Sequence, residues 1–148
     1  MKTSFMSFAL IEAEKAMKIN EIPVGTVIVK DGKIVSKGYN KVQKTQNPLM
    51  HAEMIAIKKA CKVLNTKYLT NCSLYTTLEP CYMCAGGISN AKISNLYIGA
   101  EDKRFGCILN GLQVYKNGNF NYIPVIYSEI MENECQDLLN IFFKTLRC

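Results

Sequence analysis

Three residues with metal-binding side chains constrain the fold of this chain more than any other feature: His51, Cys81 and Cys84. Glu53 follows the histidine by two positions, 26 residues separate it from Pro80, and Pro80 directly precedes the Cys-x-x-Cys pair. An imidazole and two thiolates are typical zinc ligands, and three protein ligands leave a fourth tetrahedral position open for water, the pattern of catalytic zinc. The fold must therefore bring the histidine beside the two cysteines.

The residues around these ligands suit hydrolytic chemistry. Pro80 fits the first turn of a helix, and Cys81 and Cys84, three positions apart, would share one face of that helix. A helix N-terminus also favours thiolate over thiol. Glu53 lies near the metal without being needed as a ligand, so its carboxylate can take a proton from bound water and pass it on. The pattern predicts one Zn²⁺ per chain, held by the histidine and both cysteines.

Each part of this pattern has a simpler explanation when it is taken alone. A lone Cys-x-x-Cys occurs as a redox pair, as half of a structural zinc site or as two buried thiols. His51 is the only histidine in the chain, and a solitary histidine is commonly a packed or surface residue. The complete order, His-x-Glu and then Pro-Cys-x-x-Cys, resembles the signature of zinc-dependent nucleobase deaminases. A binding module with a structural zinc remains the alternative, although such sites usually have four protein ligands.

Length and composition indicate an ordinary globular protein. The 148 residues, 49% hydrophobic and 20% charged, suit a single domain spanning residues 1–148. No apolar run approaches the ~20 residues of a membrane span, so no membrane association is expected. The first residues lack the apolar stretch of a signal peptide, which favours the cytoplasm. Seven cysteines, an odd number, favour reduced thiols over a disulfide framework, and those outside the motif are interpreted as small hydrophobic residues.

The net charge of +6 arises from 16 lysines and two arginines against 12 acidic residues. A basic surface suits a polyanionic partner such as nucleic acid, but a lysine-rich solvated surface explains the same balance equally well. Charge alone therefore leaves the partner open.

The spacing of apolar residues predicts helices and strands that alternate along the chain. Helices are predicted over residues 4–19, 51–64, from about 80 to 91 and 129–147. Strands are predicted over residues 24–30, 34–39, 72–78, 93–100 and 122–127, with Asp31-Gly32 as the hairpin turn between the first two. Residues 40–50 and 106–119 are predicted to be loop or irregular. This order predicts one α/β domain, with helices on both faces of a mixed sheet.

Segments well beyond the metal motif resemble the bacterial tRNA-specific adenosine deaminases. These are residues 22–25 (Ile-Pro-Val-Gly), 38–40 (Gly-Tyr-Asn), 51–53 (His-Ala-Glu), 77–86, 99–102 and 134–143, and the resemblance spans about residues 11 to 147. It implies a three-layer α/β/α sandwich with a mixed five-stranded sheet, as in cytidine deaminases. It also implies a homodimer whose partner is a tRNA anticodon stem-loop. The reaction implied is hydrolysis of the wobble adenosine, of an arginine tRNA, to inosine.

The resemblance also implies roles for particular residues. It makes His51, Cys81 and Cys84 the zinc ligands, and Glu53 the catalytic proton carrier.

Substrate contacts follow from the same resemblance. Asn40 matches a residue that contacts the flipped nucleotide, and Val24 and Leu78 match pocket walls. Asp102 matches a loop residue that touches the neighbouring nucleotide, and residues 142 and 143 (both Phe) lie where the last helix approaches the anticodon stem. Simpler roles remain open: Val24 and Leu78 as core, Asn40 as a turn residue, Asp102 as a charged loop tip and the two phenylalanines as core or dimer contacts.

Two segments depart from the family pattern. Residues 47–50 read Asn-Pro-Leu-Met instead of Asp-Pro-Thr-Ala, and residues 103–108 are less rich in glycine and alanine than is usual. The same metal frame also serves deaminases of free cytidine, deoxycytidylate or guanine. A deaminase of such a small substrate is therefore the principal rival to the tRNA enzyme.

Overall fold

The sheet begins with a hairpin whose turn the sequence specifies. In the computed structural model, which describes residues 4–146, strand β1 (Gly25–Lys30) pairs antiparallel with β2 (Lys33–Tyr39). Asp31 and Gly32 have φ angles of +51° and +74°, as a two-residue turn of matching twist requires. The predicted hairpin is confirmed.

Three further strands complete a mixed sheet: β3 (Cys72–Leu78), β4 (Asn95–Ala100) and β5 (Val125–Tyr127). The strand order is β2-β1-β3-β4-β5. β1 is antiparallel to β3, whereas β3 with β4 and β4 with β5 are parallel pairs. The predicted mixed five-stranded sheet is confirmed.

Helices cover both faces of this sheet, which confirms the three-layer architecture. They are α1 (Met6–Lys18), α2 (Val42–Thr45), α3 (Ala52–Leu64), α4 (Tyr82–Asn90), α5 (Val114–Asn117) and α6 (Glu132–Leu146). Successive residues of β1 serve opposite layers because strand side chains alternate. Ile28 belongs to the apolar cluster beneath α3 and α4, whereas Val27 and Val29 belong to the cluster beneath α1 and α6.

Two glycines let a helix lie directly against a strand. A Cβ on Gly25 of β1 would collide with the backbone of Ala9 and Ala13 in α1. A Cβ on Gly38 of β2 would lie 2.5 Å from the carbonyl oxygen of Ala52, the first residue of α3. The close packing at Gly38 fixes the start of α3 over the sheet edge.

Several predicted boundaries were wrong, for identifiable reasons. The last helix begins at Glu132 rather than 129, because Glu129 and Met131 have positive φ angles that interrupt a helix. Its predicted final residue, 147, lies outside the described residues. Residues 40–50 and 106–119 were predicted without regular structure, yet they contain α2 and α5.

The start of α4 also differs from the prediction. The helix begins at Tyr82, so Cys81 is its N-cap and Pro80 lies before the helix rather than in its first turn. Cys81 therefore has extended backbone angles and does not share a helical face with Cys84.

The thiols outside the metal motif lie largely in the interior. Cys72, Cys107 and Cys135 are buried and Cys61 is partly exposed, and all are free. Cys148 lies outside the described residues. Within residues 4–146, none of the helices has the length and apolar character that crossing a membrane would require.

Candidate active site

Four residues predicted to contact substrate lie at one end of the strands, which is called the carboxyl edge of the sheet because β3 and β4 both terminate there. The parallel strands β3 and β4 end side by side there, with Leu78 paired to Ala100. β1 runs antiparallel to β3, so its start lies at the same edge, and Gly25 pairs with Tyr39 at the end of β2. Val24, Asn40 and Asp102 are the flanking positions of these strands. The carboxyl ends of strands in such sheets are the usual place for ligands.

The candidate metal ligands meet at the N-termini of two helices. His51 is the N-cap of α3 and Cys81 is the N-cap of α4, and both have extended backbone angles. Cys84 is buried in the first turn of α4. His51 Nδ1 lies 3.6 Å from Cys81 Sγ and 3.7 Å from Cys84 Sγ. All three ligand atoms lie within 4.8 Å of one another.

This triad fits a zinc ion in donor type and spacing. Ligand atoms held tetrahedrally at ordinary Zn–N and Zn–S distances of about 2.0 and 2.3 Å lie about 3.5 Å apart. The two nitrogen–sulfur distances in the structure agree with that value. One imidazole and two thiolates hold zinc and leave a position for water.

The protein groups of the triad polarise one another. A hydrogen bond from the Cys84 thiol, and then one with His51, lower the pKa of Cys81 to about 4. The hydrogen bond to Cys81, together with burial, raises the pKa of Cys84. The same contact with Cys81 raises the pKa of His51. These pKa shifts arise from the three side chains alone. Zinc binding would deprotonate both coordinating thiols outright.

Glu53 is a buried carboxyl group beside the triad. It is the second residue of α3 and is 4% exposed. Burial raises the pKa of Glu53 to about 7. A carboxyl group with a pKa near neutrality both accepts and donates protons readily under physiological conditions.

A pocket of about 540 Å³ opens above these groups, and it collects the predicted site residues. Its lining includes Glu53, His51 and Cys81 on one side and Val24, Asn40, Leu78 and Asp102 on the others. Cys84 is the one predicted site residue absent from the lining, because it is fully buried.

Asn40 presents a buried acceptor without a partner. Its backbone N–H donates to Val24 O at 3.1 Å, and its Nδ2 donates to Ile22 O at 3.5 Å, a long hydrogen bond. Its Oδ1 is buried and lacks a hydrogen-bond partner in the structure. A buried polar atom without a partner is costly, so this oxygen is suited to receive a donor from a ligand.

Two buried glutamates that line the pocket were not predicted as site residues. Glu21 accepts from the backbone N–H groups of Gln43 and Lys44 at 3.1 and 2.7 Å, which accounts for the unpredicted helix α2. Glu79, 3% exposed, accepts from the loop that contains Asp102. An acidic residue between a buried strand and the Pro-Cys motif is a sequence signal that could have identified Glu79.

Three aromatic side chains also line the pocket. Phe105, Phe142 and Phe143 line it, and the rings of the last two meet edge to face with centroids 5.4 Å apart. Phe142 is buried, whereas Phe105 and Phe143 are 58% and 42% exposed. The sequence had indicated the two helical phenylalanines but not Phe105.

Comparison with known proteins identifies the family. The family profile for the cytidine and deoxycytidylate deaminase zinc-binding region matches residues 1–100. The chain is 42% identical over 146 residues to the tRNA-specific adenosine deaminase of Aquifex aeolicus (strain VF5), covering 99% of this chain and 96% of the relative. The chain belongs to the cytidine and deoxycytidylate deaminase family.

Solved structures place the chain more closely within these deaminases. A structure from studies of A-to-I editing by tRNA:A34 deaminases superimposes with a TM-score of 0.88 at 36% identity, covering 90% of this chain and 97% of that one. A guanine deaminase from Bacillus subtilis is 43% identical over 66% of this chain and 62% of its own, with a TM-score of 0.63. The deaminase fold and the zinc-binding character predicted from the sequence are confirmed.

Proposed function

We propose that this deaminase hydrolyses the wobble adenosine in the anticodon of an arginine tRNA to inosine and ammonia. We further propose that residues 1–148 act as one zinc-dependent nucleobase deaminase domain. The observation that carries the proposal is the likeness to tRNA-specific adenosine deaminases over 99% of this chain and 96% of the relative. A deaminase frame alone would fit several nucleobases, whereas this likeness extends over nearly the whole length of both chains.

His51, Cys81 and Cys84 would hold one zinc ion through Nδ1 and two Sγ atoms. Zinc bound by three protein ligands lowers the pKa of a bound water to ~7, which supplies hydroxide at neutral pH. The N-termini of α3 and α4 point their partial positive charge at this centre, which favours both thiolates and hydroxide.

Glu53 carries the protons of the reaction. It accepts a proton from the attacking water at its carboxylate and delivers it to N1 of the purine while oxygen adds to C6. Glu53 then takes the second proton from the hydroxyl now on C6 and supplies it to the departing amine as the C6–N bond breaks, so that water and adenosine give inosine and ammonia. Its burial and a pKa of about 7 support both directions of transfer.

Selectivity for the base comes from the pocket walls. The unpartnered Oδ1 of Asn40 accepts a hydrogen bond from the nucleotide, and Val24 and Leu78 pack against the flat faces of the base. Asp102 lines the same pocket, and we assign it the contact with the neighbouring nucleotide. Because the base must leave its stack to enter the pocket, an anticodon loop with unstacked bases is a suitable substrate.

A deaminase of free guanine is the second candidate function. The guanine deaminase of Bacillus subtilis matches this chain at 43% identity, but over only 66% of it. A direct comparison of products decides between the two candidates. We expect inosine at the wobble position of an anticodon stem-loop, and little xanthine from guanine or uridine from cytidine under equal conditions. The opposite preference would exclude the tRNA assignment.

We also propose that the enzyme acts as a homodimer in the cytoplasm. Exposed apolar side chains near α4 support a protein contact there: Tyr82 is 49% and Leu112 is 68% exposed, and Gly86 has open space beside it. Sedimentation equilibrium of the zinc-loaded protein tests the dimer, and a mass of one chain at micromolar concentration would exclude it.

A further inference from the structure

The carboxylate of Glu79 accepts five hydrogen bonds, all from one loop. Oε2 accepts from the backbone N–H groups of Ile108, Leu109 and Asn110 at 3.0, 3.0 and 3.1 Å. Oε1 accepts from the backbone N–H of Asp102 at 3.1 Å and from Nδ2 of Asn110 at 2.7 Å. The two ends of the segment 102–110 are therefore held by the same buried side chain.

This arrangement is a backbone anion site filled by a side chain of the same protein. Three consecutive N–H groups that converge on one oxygen form a concavity suited to negative charge. Hydrogen bonds from N–H donors to an ionised carboxylate are stronger than those between neutral groups. Glu79 therefore substitutes for regular secondary structure in fixing the path of this loop.

Gly106 shows that the loop backbone lies directly against this carboxylate. A Cβ at Gly106 would collide with the carboxyl group of Glu79 and with Asp102 O. Gly106 itself is buried, and its N–H donates to Asp102 O at 2.9 Å. No larger residue than glycine fits at position 106. The contact therefore depends on the residue types at both positions, glutamate at 79 and glycine at 106.

The held segment carries the outer wall of the pocket. Asp102 and Phe105 both line the pocket, and Asp102 Oδ1 accepts from the backbone N–H groups of Arg104 and Phe105 at 3.0 Å each. A continuous set of hydrogen bonds thus runs from Glu79 through Asp102 to Phe105. Glu79 itself follows β3 directly, so the wall is tied to the end of a central strand.

We propose that Glu79 is a positioning residue that holds residues 102–110 in place and thereby sets the selectivity for the nucleotide beside the target adenosine. This inference rests on the proposed function for its substrate, though not for the hydrogen bonding of the loop. Glu79 acts through Asp102 and Phe105 and not on the reacting atoms.

Glu79→Gln tests the proposal with almost no change of volume. The amide replaces one acceptor oxygen with a donor, which then faces either the N–H groups of residues 108–110 or that of Asp102. We expect kcat/KM on an anticodon stem-loop to fall by about 10²-fold, the effect of a displacement of about 1 Å near a reacting group. Zinc content measured by mass spectrometry should not change.

Two readouts separate positioning from general stability. The ratio of kcat/KM for stem-loops that differ only in the nucleotide beside the adenosine should fall towards one in Glu79→Gln. Amide hydrogen exchange at residues 108–110 should accelerate, whereas exchange in β1 should not. Glu12→Gln is the matched control, because Glu12 is a buried carboxylate, 4% exposed, on α1 and outside the pocket lining. It should leave both readouts unchanged.

A second variant tests the geometry by restoring one hydrogen bond with its direction reversed. In Glu79→Gln/Asn110→Asp, the new amide can donate to the new carboxylate, and we expect about tenfold recovery of kcat/KM over the single variant. If Glu79→Gln does not fold, Asn110→Ala removes only the 2.7 Å hydrogen bond and should show smaller changes in the same two readouts.

The results decide between distinct conclusions. The proposal is overturned if a folded Glu79 or Asn110 variant keeps both its nucleotide selectivity and its rate of amide exchange at residues 108–110. Faster exchange with retained selectivity also overturns it, because the loop would then be held without setting selectivity. If the unaltered protein does not deaminate the stem-loop, the proposed function fails and the part of this inference that concerns the substrate falls with it. Exchange alone then decides whether Glu79 holds the loop.

Discussion

His51 Nδ1 lies 3.6 Å from Cys81 Sγ, and each of these residues occupies the N-cap position of its own helix. Their side chains meet only because α3 and α4 begin at the same edge of the sheet. About 30 residues, which include α3 and β3, separate the two ligands in the sequence. The ligand geometry is therefore a property of the packed fold.

Loss of one ligand should remove the metal. We expect Cys81→Ala and Cys84→Ala each to bind well below one zinc per chain and to lose deamination, because two remaining protein ligands hold zinc weakly. Metal analysis after gel filtration measures this. Cys72→Ala removes a buried thiol of β3 outside the triad and should keep full zinc. Full occupancy in either ligand variant would show that the assignment is wrong.

Replacement of Glu53 should separate chemistry from metal binding. We expect Glu53→Gln and Glu53→Ala to keep zinc and fold but to lose at least about 10²–10⁴-fold in the single-turnover rate, the range for a general acid–base group. Glu53→Gln is the sharper variant because it keeps the buried volume. A rate within tenfold of the parent would mean that another group moves the protons.

Replacement of Asn40 should lower activity without lowering stability. Its Oδ1 is a buried acceptor without a partner in the free protein, so Asn40→Ala removes an unfavourable group along with one long hydrogen bond. We expect kcat/KM on the stem-loop to fall by about 10- to 100-fold while the melting temperature stays within about 2 °C. Equal losses of both would instead indicate a structural role.

Binding of the stem-loop should depend steeply on salt. The chain has 16 lysines and few aromatic residues (9%), so phosphate contacts rather than a long stacking surface should supply most of the affinity. With about four phosphates neutralised, log Kd should rise with log salt at a slope of about 3, at ~0.7 per phosphate for single strands.

Two variants test the source of this salt dependence. Asn40→Ala should keep the slope, whereas Lys103→Ala/Arg104→Ala, at two exposed positions of the loop beside the pocket, should lower it. Binding indifferent to salt would contradict this view.

The close packing of α1 on the sheet should be sensitive to a single methyl group. Gly25→Ala places a Cβ against the backbone of Ala9 and Ala13, which cannot move without displacing α1. Overpacking of this kind costs about 3 kcal/mol, which lowers the melting temperature by about 10 °C in a domain of this size. Gly86→Ala, compared at a protein concentration low enough to keep the chain monomeric, is the control, because Gly86 lies in a helix and nothing in its own chain lies within 4 Å of the added Cβ. It should be neutral or stabilising.

The sequence by itself determined the elements whose causes are local. The β-branched run of β1, the Asp31-Gly32 turn and the apolar spacing of α3 act within a few residues, and the structure has each within one residue of its predicted position. The zinc-ligand types and the carboxylate beside them were also evident from the sequence, because the chemistry of the site requires particular side chains at particular spacings.

Only the tertiary structure decided the features whose causes lie far along the chain. Residues 42–45 form a helix because Glu21, some 22 positions earlier, accepts from their backbone, and the loop 102–110 is ordered because Glu79 accepts from its N–H groups. Cys81 became a helix cap rather than a helical residue, and α6 began three residues late where positive φ angles intervene. The conformational propensity of a short segment does not include hydrogen bonds to a buried carboxylate from a distant part of the chain. Such residues can be assigned a role only when the packed fold shows which backbone groups they satisfy.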